Sequence, residues 1–177
     1  NFMNPENLNS LVQLFFKKAK DLDENKPFVK WLKPGKSVYT WKDVSDRILK
    51  LSNKIKSIIS EHDRCLILSE NRPEWLISDL AIMNAGGISV PIFTTYSSKD
   101  YEYILKDCEP TVVIVSDNNQ FKKIKNFMNT NVKKIISFEK INNDILLFDD
   151  ILKELDFDKD INQSLKRNSP ACIIYTS

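Results

Sequence analysis

"CLILSENRPEWLISDLAIMNAGGISVPI", residues 65–92, decides the fold. It opens on an apolar run, Cys65-Leu66-Ile67-Leu68, the pattern of a strand covered on both faces. Pro73 then starts a helical pattern that carries Trp75, Leu76, Leu80 and Met83. Gly86-Gly87 closes that helix, as glycines do at helix C-termini. Ile88 to Ile92 is a second short apolar run. Strand, helix and strand in this order make a crossover unit with parallel strands.

The alternation continues downstream. Ser97 and Ser98 cap a helix holding Tyr101, Ile104 and Leu105, and Thr111 to Val115 is the next strand. Asp117 caps a helix with Phe121, Ile124 and Phe127, and Lys134 to Phe138 forms a fourth strand. The βαβαβαβ order predicts an α/β fold: a mostly parallel, doubly wound sheet with helices on both faces. Upstream, Asn4-Pro5-Glu6 reads as the start of a helix bearing Leu8, Leu11, Val12, Phe15, Ala19 and Leu22, ending near Asp23 to Asn25. Residues 28–32 and 37–40 flank Pro34-Gly35 and read as a short hairpin. Thr40 and Asp43 have capping-box spacing, ahead of a helix with Val44, Ile48, Leu51, Ile55, Ile58 and Ile59 on its buried stripe. Leu147 to Leu155 reads as a helix and residues 171–175 as a further strand. With no internal repeat and no long linker, residues 1–177 are expected to be a single domain. The hairpin and helices occupy 1–60, the βαβ core 61–138, and an irregular segment with the last strand 139–177.

Composition narrows the function. The chain has 177 residues, 42% of them apolar, enough for a sizeable core. Net charge is only +2, from 26 basic and 24 acidic side chains, so a concentrated basic face for nucleic acid is not expected. No apolar stretch approaches the ~20 residues of a membrane-spanning helix, and the first residues lack signal-peptide character. The cysteines, Cys65, Cys108 and Cys172, are widely spaced, with no C-x-x-C. They are expected to be buried thiols of a reducing cytoplasm.

Several motifs invite chemistry, and most have a plainer explanation. No G-x-G-x-x-G follows the first strand of the sheet, so the dinucleotide fingerprint is absent. Asp156, Asp158 and Asp160 resemble the start of a calcium loop, but Ile161 and Arg167 stand where its Gly and Glu belong. His62, the single histidine, lies in a polar turn and reads as a surface residue. "SENRPEW", Ser69 to Trp75, follows a strand at the edge where α/β sheets bind ligands, ahead of a proline-started helix whose free amides favour anions. Arg72 there is a candidate cofactor contact. The structural alternative makes Asn71 a cap, Arg72 a carboxylate partner and Trp75 a core residue.

The stretch Ser69 to Asp117, "SENRPEWLISDLAIMNAGGISVPIFTTYSSKDYEYILKDCEPTVVIVSD", resembles the N-terminal region of the adenylate-forming (AMP-binding) acyl-CoA synthetases. "VYTWKDV", Val38 to Val44, and "ACIIYTS", Ala171 to Ser177, fit the same family in the same order. "ENRPEW" and "VPIFTTYS" are most similar to the long-chain fatty acid CoA ligases. The resemblance implies a ligase that joins a carboxylate to the α-phosphorus of ATP, releases pyrophosphate, and passes the acyl group to coenzyme A. ATP, Mg2+ and coenzyme A are the implied cofactors, and a fatty acid the implied substrate. An adenylating ligase for another carboxylic acid, or a non-catalytic interaction module with a half-fold, would also keep these motifs.

In that family a phosphate loop runs Y-T-S-G-T-T-G-x-P-K-G. Tyr175, Thr176 and Ser177 match its first three residues. The resemblance makes Thr176 a hydroxyl near the magnesium–phosphate cluster, Ser177 a phosphate-loop hydroxyl and Tyr175 a support for the loop. It further implies an incomplete N-terminal subdomain of a cytoplasmic enzyme, inactive in isolation. Apolar surface and a sheet edge near residues 171–175 would favour homodimers or limited solubility of the piece. Peripheral membrane contact suits an enzyme of fatty acids, although no amphipathic basic helix here demands it.

Overall fold

A computed structural model describes residues 8–30 and 38–176. The expected Asn4-Pro5-Glu6 helix start, the Pro34-Gly35 turn and Ser177 lie outside the described residues. Helix α1 (Leu11–Asp21) begins later than the sequence pattern suggested, because Ser10 is its N-cap and accepts from the Gln13 amide. Leu8 and Asn9 therefore precede the helix. Strands β1 (Pro27–Lys30) and β2 (Val38–Thr40) pair antiparallel as the hairpin expected. Phe28 of this hairpin packs against Phe15 and Trp41, with ring centroids 5.5 and 4.1 Å away.

Helix α2 (Trp41–Lys56) starts on the full Thr40–Asp43 capping box. Beyond it stands a sheet of five parallel strands: β3 (Arg64–Leu68), β4 (Ile88–Ile92), β5 (Val112–Val115), β6 (Lys134–Ser137) and β7 (Leu146–Leu147). Their order is β4-β3-β5-β6-β7. The chain steps from β3 outward to β4, then crosses back to β5 on the other side of β3. Right-handed crossovers then place helices on opposite faces when the direction of travel reverses. Helix α3 (Pro73–Asn84) accordingly shares one apolar cluster with α1, α2 and the short α6 (Phe148–Ile151). Helices α4 (Ser98–Cys108) and α5 (Asn118–Ile124) close the other face. Along β5 the faces alternate: Val112 and Ile114 meet α1–α3, whereas Val113 and Val115 meet α4 and α5.

Helix α3 is buried on nearly every side, unlike the one-stripe helices around it. It ends in a Schellman motif: Gly86 adopts φ +86°, its amide donates to Met83, and the Gly87 amide donates to Ile82. Asp79 rides half-buried on this helix, and its pKa is raised because burial disfavours the ionised form, with the Ser89 hydroxyl opposing. A carboxyl raised in the folded state adds stability while protonated and loses it as pH climbs through the folded pKa. Asp79→Asn is therefore expected to raise stability at about pH 7, with the gain fading toward about pH 3. Urea melts at both pH values check this, and a destabilised variant at neutral pH would refute it.

Three expectations need correction. The helix expected over residues 147–155 is one turn, Phe148–Ile151, because Leu146–Leu147 is used as strand β7 beside β6. Residues 171–175 do not form a further strand; only Cys172 bridges to Ser89. The Ser89 amide donates to Ala171, and the Ile173 amide donates to Ser89. Two residues on, the same edge of β4 presents Pro91, which has no N–H, so the ladder stops after one rung. Cys172 is exposed rather than buried, whereas Cys65 and Cys108 are buried and their thiols are pushed up to about 12, chiefly by that burial. Among the described residues, no helix is long and apolar enough to cross a membrane.

Candidate functional site

In parallel α/β sheets the crevice for ligands lies at the carboxyl ends of the strands, where the strand order reverses. Here the reversal lies between β3 and β5. The turns emerging at that edge are Ser69–Arg72 after β3, Phe93–Ser97 after β4, Ser116–Asp117 after β5 and Phe138–Glu139 after β6. Backbone bonds knit them together: the Ser116 amide donates to Leu68, and the Glu139 amide donates to Ser116.

Arg72 occupies the N-cap position of α3 with extended backbone, and no side chain caps that end. The cap expected from Asn71 is therefore not made, and Asn71 is exposed. Pro73 at the first helical position removes one of the amides that would need a partner. The Arg72 guanidinium grips Glu74 through both carboxylate oxygens, at 3.2 and 3.3 Å, and donates to Glu139 at 3.1 Å. It also lies 5.3 Å from the centre of the Phe138 ring. Burial alone would lower its pKa, but Glu74 and then Glu139 outweigh that and keep it ionised. Trp75 packs part-buried against the main core. The adjacent Glu70 accepts from the Gln120 amide at 2.6 Å. Burial pushes the Glu70 carboxyl up, but polar contacts from Ser116 and Gln120 and the Arg72 charge bring it below its ordinary value.

The other matched residues sit beside β4. The Tyr175 carbonyl accepts from the Tyr96 hydroxyl at 2.8 Å. The Tyr175 hydroxyl donates to Asp107 at 2.6 Å, and its ring meets Tyr103 edge-on with centroids 6.3 Å apart. Burial, then the bond to Asp107, pushes the Tyr175 pKa above its ordinary value. Thr176 follows, exposed at the sheet edge. Arg72 and Glu74 follow β3 and Glu139 follows β6, whereas the segment that leads to Thr176 bridges the outer edge of β4. The turn between β4 and α4 is itself pinned, since Tyr101 donates to Phe93 and Lys123 donates to Thr94.

The polar partners of Tyr175 were not legible in the sequence. Tyr96 and Asp107 are ordinary turn and helix residues until the fold brings them to residue 175. The alternating aspartates behave as expected of a solvated loop: Asp156, Asp158 and Asp160 are exposed, and residue 158 is tied to α2 through Asn53. His62 is exposed in its turn. Among the described residues no cluster of three or more His, Cys, Asp or Glu could hold a metal. Thr176 offers one hard oxygen, which fits a single ligand to a phosphate-bound magnesium rather than a resident ion site.

Parallel strands whose winding order reverses at one crevice, with helices on both faces, define a doubly wound α/β domain whose ligand edge lies at the strand C-termini. A family model described as AMP-binding enzyme matches residues 15–177, and the chain belongs to that family. Among curated proteins, Long chain acyl-CoA synthetase 4 of Arabidopsis thaliana is 30% identical over 161 residues, covering 82% of this chain and 24% of that protein. Fatty acyl-CoA synthetase A of Dictyostelium discoideum is 29% identical over 107 residues, covering 58% of this chain and 16% of that protein. The chain thus spans about a quarter of the length of the curated relatives it matches along most of its own length. Of solved structures, the anthranilate CoA ligase AuaEII in complex with anthranoyl-AMP superposes with a TM-score of 0.80 at 21% identity, over 99% of this chain and 34% of that one. Apo MatB from Rhodopseudomonas palustris gives 0.72 at 19% identity, over 96% of this chain and 33% of that one. At these identities the solved structures speak for the fold.

Proposed function

We propose that the chain is the N-terminal subdomain of an ATP-dependent ligase that activates a long-chain fatty acid as an acyl-adenylate and transfers it to coenzyme A. The observation that carries this is the "YTS" start of the family loop, with Thr176 exposed at the edge of β4 and Tyr175 held from both its carbonyl and its hydroxyl. The physical problem of the reaction is negative charge, since an anionic carboxylate must approach a polyanion. Hydroxyls and backbone amides around the phosphates answer it. In this reading Thr176 and Ser177 face the phosphates, Thr176 contributes an oxygen to magnesium, and Tyr175 supports the loop. Arg72, gripped by two carboxylates, shapes the start of α3 rather than touching the nucleotide. The preference for a long acyl chain draws on relatives named as long chain acyl-CoA synthetases at about 30% identity.

The test is release of AMP from ATP by the product of the complete reading frame, given coenzyme A and a panel of long-chain, short-chain and aromatic acids. Long-chain acids are expected to be turned over best. The 177 residues alone, with only the first three loop residues, are expected to show no ATP–pyrophosphate exchange above a protein-free control. Best turnover of an aromatic or short-chain acid would replace the long-chain reading, and no turnover of any acid would overturn the ligase reading.

A further inference from the structure

We propose that Tyr96 and Asp107 are positioning residues that dock segment 172–176 onto β4 and so orient Thr176. The idea rests on the reading of Thr176 as a phosphate-facing hydroxyl, and its structural half can be judged without that reading.

Pro91 limits how far the segment can pair with β4. A full parallel strand beside β4 would be held by a repeating ladder, each rung fixing the next residue. Here the ladder holds one bridge, the pair of bonds between Ser89 and residues 171 and 173, at 3.0 and 2.9 Å. The next donor on that edge would be Pro91, which cannot donate. Past Ile173 the ladder therefore leaves the segment's height, twist and register unspecified. Side chains take over at residue 175. Tyr96, from the turn after β4, donates to the Tyr175 carbonyl, and Asp107, near the end of α4, accepts from the Tyr175 hydroxyl. One bond fixes the peptide that leads into Thr176; the other fixes the side chain of the same residue.

The anchors are themselves braced. Tyr96 is the residue before Ser97, whose capping box with Asp100 sets the start of α4. Its ring meets Phe93 edge-on with centroids 5.3 Å apart and lies 6.2 Å from the Tyr101 ring, and Tyr101 donates back to Phe93. The latch thus hangs from the β4–α4 turn and α4, elements that share the second core cluster, and not from a neighbouring strand. A segment held past Ile173 by two side-chain bonds and by the packing of Ile173 and Tyr175 on the second core cluster, rather than by a ladder, can be shifted without disturbing the sheet.

The test compares wild type with Tyr96→Phe, Asp107→Leu, the double variant, and Asp107→Asn, which keeps a carbonyl acceptor. The first readout is amide exchange at Ile173, with exchange at Val113 of the central strand as the control for global folding. Each lost bond is expected to speed Ile173 exchange about fivefold and the pair together about twentyfold or more, with Val113 unchanged and Asp107→Asn close to wild type. The second readout, in the product of the complete reading frame, is the KM for ATP against the KM for the acid. The KM for ATP is expected to rise in Tyr96→Phe and the double variant, with the acid KM unchanged. Unchanged exchange at Ile173 in the double variant would overturn the docking role. Faster exchange with an unmoved KM for ATP would overturn the orienting role. If wild type turns over no acid, the ligase reading and the orienting role fall together, while the exchange data still decide the docking.

Discussion

Arg72→Ala is expected to lower folding stability by about 3–5 kcal/mol, the cost of leaving a buried charge without its partner. The decisive numbers are the side-chain exposures: 9% for Arg72 and 12% for Glu74. Two buried ions pairing through parallel bonds recover their desolvation cost only together, so deleting the cation strands the carboxylate. Glu139 is different. Its side chain is 60% exposed, so its bond to Arg72 is screened, and Glu139→Gln is expected to cost under about 1 kcal/mol. Arg72→Lys should not rescue, because a single ammonium cannot reproduce the two-pronged grip on Glu74 or the face-on contact with Phe138. Arg72→Ala combined with Glu74→Gln should recover part of the loss, since the stranded charge is then gone. Denaturant melts of the four variants measure all of this. An Arg72→Ala variant within about 0.5 kcal/mol of wild type would show that Arg72 and Glu74 do not act as a buried pair.

Ile114→Ala is expected to cost about 2–5 kcal/mol, from lost transfer free energy and an unfilled cavity. Ile114 lies on β5, fully buried in the cluster that joins the sheet to α1–α3. Its neighbours cannot collapse into the gap, because strands β3 and β6 fix the backbone on either side. Ile174→Ala is the matched control: that side chain is 65% exposed, and its loss is expected to be near neutral. Against the usual 5–15 kcal/mol of a domain, Ile114→Ala alone removes a large share. Thermal or urea melts of both variants read it, and equal losses at the two positions would contradict the burial pattern.

The sheet was legible because its signals are local. Short apolar runs, a proline-started helix, Ser97 and Asp117 caps and the Gly86-Gly87 stop all act within a few residues of themselves. The capping box at Thr40 and the alternation of strands and helices fall in the same class. Where local pattern misled, a distant partner decided. Leu146 and Leu147 carry no strand signature in so short a run, and only pairing with Ile136 and Ser137 makes them β7. Residues 171–175 have an apolar β-prone pattern, yet Pro91, some eighty positions earlier, denies them a ladder. Leu8, expected on the helix, precedes α1 because the Ser10 side chain caps it at the Gln13 amide.

For the candidate site the division is sharper. Sequence by itself determined the family through its ordered motifs, and it marked Tyr175 and Thr176 through the "YTS" that ends strand-like residues. It left Arg72 between a ligand contact and a carboxylate partner. The tertiary structure gave Arg72 two carboxylates, and it brought Tyr96 to the carbonyl and Asp107 to the hydroxyl of Tyr175. Hydrogen bonds of this kind depend on where crossovers and turns place side chains dozens of residues apart. No periodicity records that; it follows only once the sheet's strand order and the faces of its helices are set.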